Sequence, residues 1–170
     1  MSGPVAIVMG VSGTGKTTVG EALAKRIGAR FVEGDAHHPP ENRKAMEEGR
    51  PLDDAMRAPW LDSIARDAAT GAGPVVVACS SLKRAYRDRL REGIGGHVLF
   101  VHLRGARALL AERMSHRSHF FPVTLLDSQL DTLEPPGADE LSVTLDVAAP
   151  PEALVADAAA FLGAHGVSVR

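Results

Sequence analysis

Cysteine occurs once in these 170 residues, at Cys79. A lone thiol excludes an internal disulfide and fits a reducing compartment. No segment approaches the uninterrupted apolar length of a membrane span. Neither sign of charge dominates: 19 basic and 21 acidic residues leave a formal net charge of −2, which gives no general attraction for nucleic acid or an anionic membrane. Any cationic chemistry must therefore be local. The chain passes from Met1-Ser2-Gly3-Pro4 straight into an apolar run, with no charged and cleavable leader, which predicts a cytoplasmic protein. Internal repeats and low-complexity tracts are absent. Zinc-ligand spacing is absent too, because His97 with His102, and His116 with His119, lack nearby cysteines or an H-E-x-x-H pattern. What remains is one domain of ordinary size, or a core with a small inserted subdomain.

The run Gly10-Val11-Ser12-Gly13-Thr14-Gly15-Lys16-Thr17 fits the G-x-x-x-x-G-K-[ST] phosphate-binding loop. Its context fits as well. Val5–Met9 reads as a buried strand, and Val19, Ala22, Leu23 and Ile27 give the following segment a helical spacing. Strand, glycine loop and helix N-terminus place a row of backbone N–H groups and the positive end of a helix dipole around one anion. Thr18 opens the helix beside that row. Lys16 can reach the β- and γ-phosphates, and the Thr17 hydroxyl suits Mg²⁺. The loop predicts a bound nucleoside triphosphate.

Five apolar runs read as strands: Val5–Met9, Arg30–Val32, Val75–Cys79, Val98–Leu103 and Leu141–Val147. Three are continuous, as in strands covered on both faces of a parallel sheet. Helical patterns over Thr17–Ile27, Pro40–Glu48, Asp54–Ala69, Leu82–Leu90, Ala106–His116, Val123–Leu133 and Pro151–Leu162 separate them. The alternation predicts an α/β domain with a parallel five-stranded sheet. The stretch between the second and third strands is too long for a single crossover and holds two helices, which suggests a helical insertion. Ser115–Pro122, polar, basic and aromatic, has the composition of a lid that supplies charge and excludes water.

No N-K-x-D guanine-reading motif is present, and the third strand ends in Cys79-Ser80-Ser81 rather than in an acidic residue. Something else must then help to hold magnesium. The carboxylates of Glu33-Gly34-Asp35 follow the second strand. Asp35 is placed to accept a proton from an attacking hydroxyl or to orient it. Glu33, two residues earlier, would face the same way on extended chain and touch a magnesium-bound water.

These residues carry a family resemblance. Gly34-Asp35-Ala36-His37-His38-Pro39 resembles the G-D-x-L-H-P motif of the small bacterial-type gluconate kinases, the gluconokinases. Pro51-Leu52-Asp53-Asp54 with Arg57-Ala58-Pro59-Trp60-Leu61 is similar to their P-L-x-D-x-D-R-x-P-W-L. Cys79-Ser80-Ser81-Leu82-Lys83-Arg84-Ala85-Tyr86-Arg87-Asp88 is similar to C-S-A-L-K-x-x-Y-R-D. Arg117-Ser118-His119-Phe120-Phe121-Pro122 resembles the lid R-x-x-H-F-x-P, and Ser128-Gln129, Thr132-Leu133-Glu134 and Pro136 follow the same pattern. His37, Met56 and Ser81 depart from the usual Leu, Asp and Ala. The resemblance implies a three-layer P-loop kinase fold like that of nucleoside-monophosphate kinases. Its core would cover about 1–36, 72–112 and 138–170, its substrate-binding insertion about 37–71 and its lid about 113–137. It also implies transfer of the ATP γ-phosphoryl group to the primary hydroxyl of D-gluconate, with Mg²⁺, in a family that is often homodimeric. A shikimate or nucleotide kinase on the same fold, and an ATP-binding regulatory module without catalysis, stand as alternatives.

Gluconate needs cations for its carboxylate, hydrogen-bonding groups for its hydroxyls and a carboxylate beside the reacting one. Asp35 and His38 are candidates for the hydroxyls. Arg57, whose planar fork matches a carboxylate, is the candidate cation of the insertion. Lys83 and Arg87 share a helix face just beyond the third strand and compete, as substrate contacts, with a reading as solvated charges. Gln129 could reach either ligand. Arg113 and Arg117, four apart at the entry to the lid, are candidates for the ATP phosphates, with Arg117 on the γ-phosphate. Trp60 reads as core of the insertion and Cys79 as a buried apolar residue.

Overall fold

The computed structural model describes residues 3–116 and 123–169. Five strands form its centre: β1 (Val5–Met9), β2 (Arg30–Glu33), β3 (Val75–Ala78), β4 (Val98–Arg104) and β5 (Ser142–Asp146). All neighbours are parallel, in the order β2-β3-β1-β4-β5. β1 and β3 are buried at every position, which is why they read as unbroken apolar runs. β5, at the edge, keeps only Leu145 buried. Among the described residues seven helices connect or follow the strands: α1 (Lys16–Ile27), α2 (Pro40–Glu47), α3 (Asp54–Ala68), α4 (Arg84–Ile94), α5 (Arg107–Ser115), α6 (Val123–Thr132) and α7 (Pro151–Ala164). α1 packs on α7 and α3 packs on α4, giving the three-layer arrangement of a P-loop kinase.

Local chemistry explains where the elements start and stop. α1 ends on Gly28, in the left-handed conformation, whose N–H caps the Ala24 and Lys25 carbonyls. α3 starts at Asp53, whose side chain accepts from the Met56 N–H. α4 begins at Arg84, two residues later than its periodicity suggests, because Ser81 adopts φ +50 and Lys83 is extended. An unexpected 3-10 turn, Gly34–His37, follows β2, with the Glu33 carboxylate accepting the Asp35 N–H at 3.2 Å. Its Gly34 lies so close to Ala78 that a Cβ there would meet the carbonyl oxygen at 2.3 Å.

The connection from α6 to β5 is fastened from below. Arg87 is fully buried and makes paired hydrogen bonds to Glu140, Nε to Oε1 at 2.8 Å and Nη2 to Oε2 at 3.1 Å. Its Nη1 donates to the Ser81 and Leu82 carbonyls. Burial alone would raise the Glu140 carboxyl. The hydrogen bonds from Arg87, the Gly137 N–H and Arg91 outweigh that and hold it at about 2.

Candidate active site

At the carboxyl ends of β1, β2 and β3, where ligands bind in open parallel sheets, lies a cavity of about 250 Å³. The phosphate loop forms one wall. Gly10 and Gly15 have φ of +148 and +87, conformations that favour glycine. A Cβ on Gly10 would also meet the Leu103 carbonyl oxygen at 2.6 Å. Gly15 caps α1 in the left-handed conformation, and Lys16 is the first helical residue. A glycine loop running into a helix N-terminus is the arrangement that an anion cradle uses. Lys16 Nζ donates to the Val11 carbonyl at 3.1 Å, and the Thr14 hydroxyl does so at 2.8 Å.

Thr17 and Glu33 meet directly: the Thr17 hydroxyl donates to Glu33 Oε2 at 2.5 Å. The same carboxylate holds the turn that carries Asp35. Two oxygen donors suited to a hard cation thus stand together at the loop, next to a carboxylate that faces the cavity.

The opposite wall comes from the segment between β2 and β3. His38 is buried and stacks on Trp60, ring centroids 4.1 Å apart and 15° from parallel. Trp60 Nε1 donates to the Gly34 carbonyl at 2.8 Å, fixing the pair to the turn after β2. Asn42 Nδ2 donates to the Met56 carbonyl at 2.9 Å and lies 3.2 Å from His38 Nδ1. An amide nitrogen is only a donor, so Nδ1 accepts and the neutral ring carries its proton on Nε2. Burial, aided by the charges of Arg43 and Arg57 and opposed by Asp35, pushes His38 down to about 4. The ring is neutral at physiological pH.

Arg57 reaches the cavity from α3. Its Nη1 donates to the Tyr86 hydroxyl at 2.9 Å, and its guanidinium carbon lies 5.1 Å from the centre of the Tyr86 ring. The Tyr86 hydroxyl in turn donates to Asp54. That bond, ahead of the Lys83 charge, lowers the Asp54 carboxyl.

Of the residues singled out in the sequence, Ser12, Gly13, Gly15, Lys16, Thr17, Thr18, Asp35, His38, Arg57 and Gln129 line this one cavity. Gln129 Oε1 accepts the Ser12 N–H at 2.7 Å. Lys83 and Arg87 do not line it. Arg87 is taken up by Glu140 and two carbonyls, so the expectation of a substrate contact is corrected to a buried structural ion pair. The two side chains share a helix only in part, since α4 starts after Lys83. Lys83 lies outward, 3.5 Å from Asp54. Arg113 donates to the Val147 carbonyl at 2.7 Å, outside the cavity. Arg117, with the lid expectation for 117–122, lies outside the described residues. Cys79 is buried, and burial raises its thiol to about 11, an inert state.

Sequence reasoning gave no site role to Arg50, Met46, Ser80 or Ser128, which also line the cavity, although Ser80 and Ser128 stand in the quoted motifs. It also missed Tyr86 as the partner of Arg57. They come from α2, the α2–α3 connection, the end of β3, α4 and α6, so no single local pattern marks them as one group.

Comparison with known proteins gives the family. A family model described as an AAA domain matches residues 5–136. A gluconokinase of Gluconobacter oxydans is 52% identical over 139 residues, covering 79% of this chain and 77% of that protein. A probable gluconokinase of Xenopus tropicalis is 46% identical over 162 residues, covering 84% and 85%. The crystal structure of a gluconokinase from Sinorhizobium meliloti superposes with a TM-score of 0.88 at 51% identity, over 96% of this chain and 93% of that one. At these identities and coverages the chain, with its phosphate loop, histidine, arginine and carboxylate around one cavity, belongs to the gluconokinase family.

Proposed function

We propose that the protein transfers the γ-phosphoryl group of ATP to the primary hydroxyl of D-gluconate, releasing ADP and 6-phospho-D-gluconate. The observation that carries this reading is the convergence of the phosphate loop, Asp35, His38 and Arg57 on one cavity, in a chain of this family. The backbone of Gly10–Thr17 and Lys16 would hold the donor phosphates. Arg57, kept in orientation by Tyr86, is the cation for the gluconate carboxylate, with Arg50 nearby. His38 offers its Nε2–H to a hydroxyl of the polyol.

Asp35, exposed at the cavity wall, accepts the proton as the C6 oxygen attacks phosphorus and the bond to the bridging β,γ-oxygen breaks. Positioning and charge neutralisation supply most of the rate. Thr17 and, through water, Glu33 are the residues that would hold Mg²⁺. When bound, the ion would neutralise charge on the phosphates. Arg117 on the γ-phosphate, Arg113 on the ATP phosphates and Gln129 on either ligand complete the proposal. We assign 37–71 as the substrate-binding insertion and 113–137 as the lid. A homodimer belongs to the same reading by resemblance alone, and a cytoplasmic location by the lone cysteine. No helix among the described residues is long and apolar enough to cross a membrane.

Phosphorus NMR of the product tests the assignment of the acceptor atom. A phosphomonoester signal split by the pair of protons on C6 supports it. A signal coupled to a single carbon-bound proton would place the phosphate on a secondary hydroxyl and overturn it.

A further inference from the structure

A second cavity, of about 380 Å³, lies beside the phosphate loop and shares no lining residue with the first. It falls within the ~300–1,000 Å³ of small-molecule sites. α6 stands between the two cavities, giving Ser128 and Gln129 to one and Leu130 to the other. Val11, Leu130, Leu133 and Pro135 make its walls apolar.

Its polar equipment is small and specific. His102, on β4, is 1% exposed, and neither ring nitrogen has a hydrogen-bond partner among the described residues. A buried polar side chain in that state asks for an explanation. Burial, with the charges of Arg87 and Arg104, lowers His102 to about 4, so the neutral ring offers one donor and one acceptor. Arg104 lies two residues along the same strand and therefore on the same face. It lines the cavity and is exposed, with no ion pair or hydrogen bond from its side chain among the described residues. A single imidazole does not make a metal site, and one cation in an apolar pocket suits a monoanion better than a phosphate dianion.

We propose that this cavity binds a small monocarboxylate with an apolar body, its carboxylate held by Arg104 and the His102 ring and its body against Val11, Leu130, Leu133 and Pro135. The site is independent of the gluconate assignment.

The test is carbon–proton NMR of protein carrying ¹³C-labelled histidine, with the His102 ring assigned through its backbone. The probes are 3-phenylpropionate and its neutral amide. A charge-assisted contact predicts that the acid shifts the His102 resonance saturably and binds about tenfold tighter than the amide. In Arg104→Ala, a change at an exposed position, that preference disappears. ATP with Mg²⁺ leaves the probe in place. Four results would each overturn the proposal. One is a His102 signal unmoved by the acid at about 10 mM, beyond the range of millimolar affinity. The second is equal binding of acid and amide. The third is displacement by ATP, which would give the cavity to the nucleotide. The last is a His102 shift that follows protein concentration without probe, which would give it to a second copy of the chain.

Discussion

Tyr86 holds Arg57 twice over, accepting a hydrogen bond from its Nη1 at 2.9 Å and presenting its ring face 5.1 Å from the guanidinium carbon. The tyrosine is itself anchored through Asp54. An arginine fixed before substrate arrives loses less freedom on binding a carboxylate. Tyr86→Phe keeps the ring but removes one hydrogen bond worth about 1 kcal/mol, which corresponds to a rise of roughly fivefold in KM for gluconate. Its kcat is expected to change little. Arg57→Lys loses the paired geometry and is expected to raise KM by about tenfold or more. Steady-state kinetics on both variants checks this, and an unchanged KM in Arg57→Lys would remove Arg57 from the carboxylate site.

Asp35 stands in the cavity on a turn held by Glu33. Loss of a positioned general base costs about 10²–10⁴ in rate. Asp35→Asn is therefore expected to lower kcat by that factor while leaving the thermal midpoint close to that of the parent. An active Asp35→Asn enzyme would make the residue a turn former only.

Glu33→Gln separates two roles of one carboxylate. As an outer partner of Mg²⁺ it should raise the magnesium concentration for half-maximal rate by about tenfold. If Glu33 acts only as cap of the turn, the magnesium dependence stays where it was and stability alone falls.

Two buried histidines make stability depend on pH in mild acid. His38 and His102 are both lowered from 6.5 to about 4. Below pH 6.5 the unfolded chain takes up protons that the folded chain refuses, so stability falls as pH drops toward 4. Glu140 works in the same direction lower down, because its depressed carboxyl loses its contribution as pH falls from about 4.5 toward about 2. Urea unfolding at pH 7 and pH 5 should show the loss, and His38→Gln with His102→Gln should flatten it. A midpoint equal at the two pH values would contradict the neutral assignment of both rings.

Arg87 and Glu140 form an ion pair whose side chains are each 1% exposed. Removing one charge from such a pair typically costs about 3–5 kcal/mol. Glu140→Gln is expected to lower the urea midpoint accordingly, with KM for gluconate little changed in the protein that remains folded. A raised KM at unaltered stability would return Arg87 to the substrate site.

The strands and helices were legible because their signals are local. β1 and β3 are apolar throughout, α1 ends in glycine, and the phosphate loop lies between a strand and a helix. The floor of the site was legible for the same reason, since Lys16 and Thr17 open the first helix and Glu33 and Asp35 stand at the end of the second strand, all in the first quarter of the chain. Arg87 misled because spacing on a helix shows which residues share a face, not which face is buried. Its partner Glu140 lies 53 residues away. Tyr86 was hidden because it meets Arg57 only where α3 packs on α4, and Arg50 because it reaches the cavity from the connection between α2 and α3. The 3-10 turn at Gly34–His37 depends on a side-chain cap from Glu33, a contact that composition does not reveal.

The central claim is tested most directly by kcat/KM from coupled ADP release, with ATP and Mg²⁺, over a panel of acceptors. The panel holds D-gluconate, its epimeric aldonates, shikimate and nucleoside monophosphates. The account predicts turnover of gluconate at a kcat/KM of about 10⁴ M⁻¹s⁻¹ or more, above every other acceptor. Little turnover of gluconate beside efficient phosphorylation of shikimate or a nucleotide would contradict it.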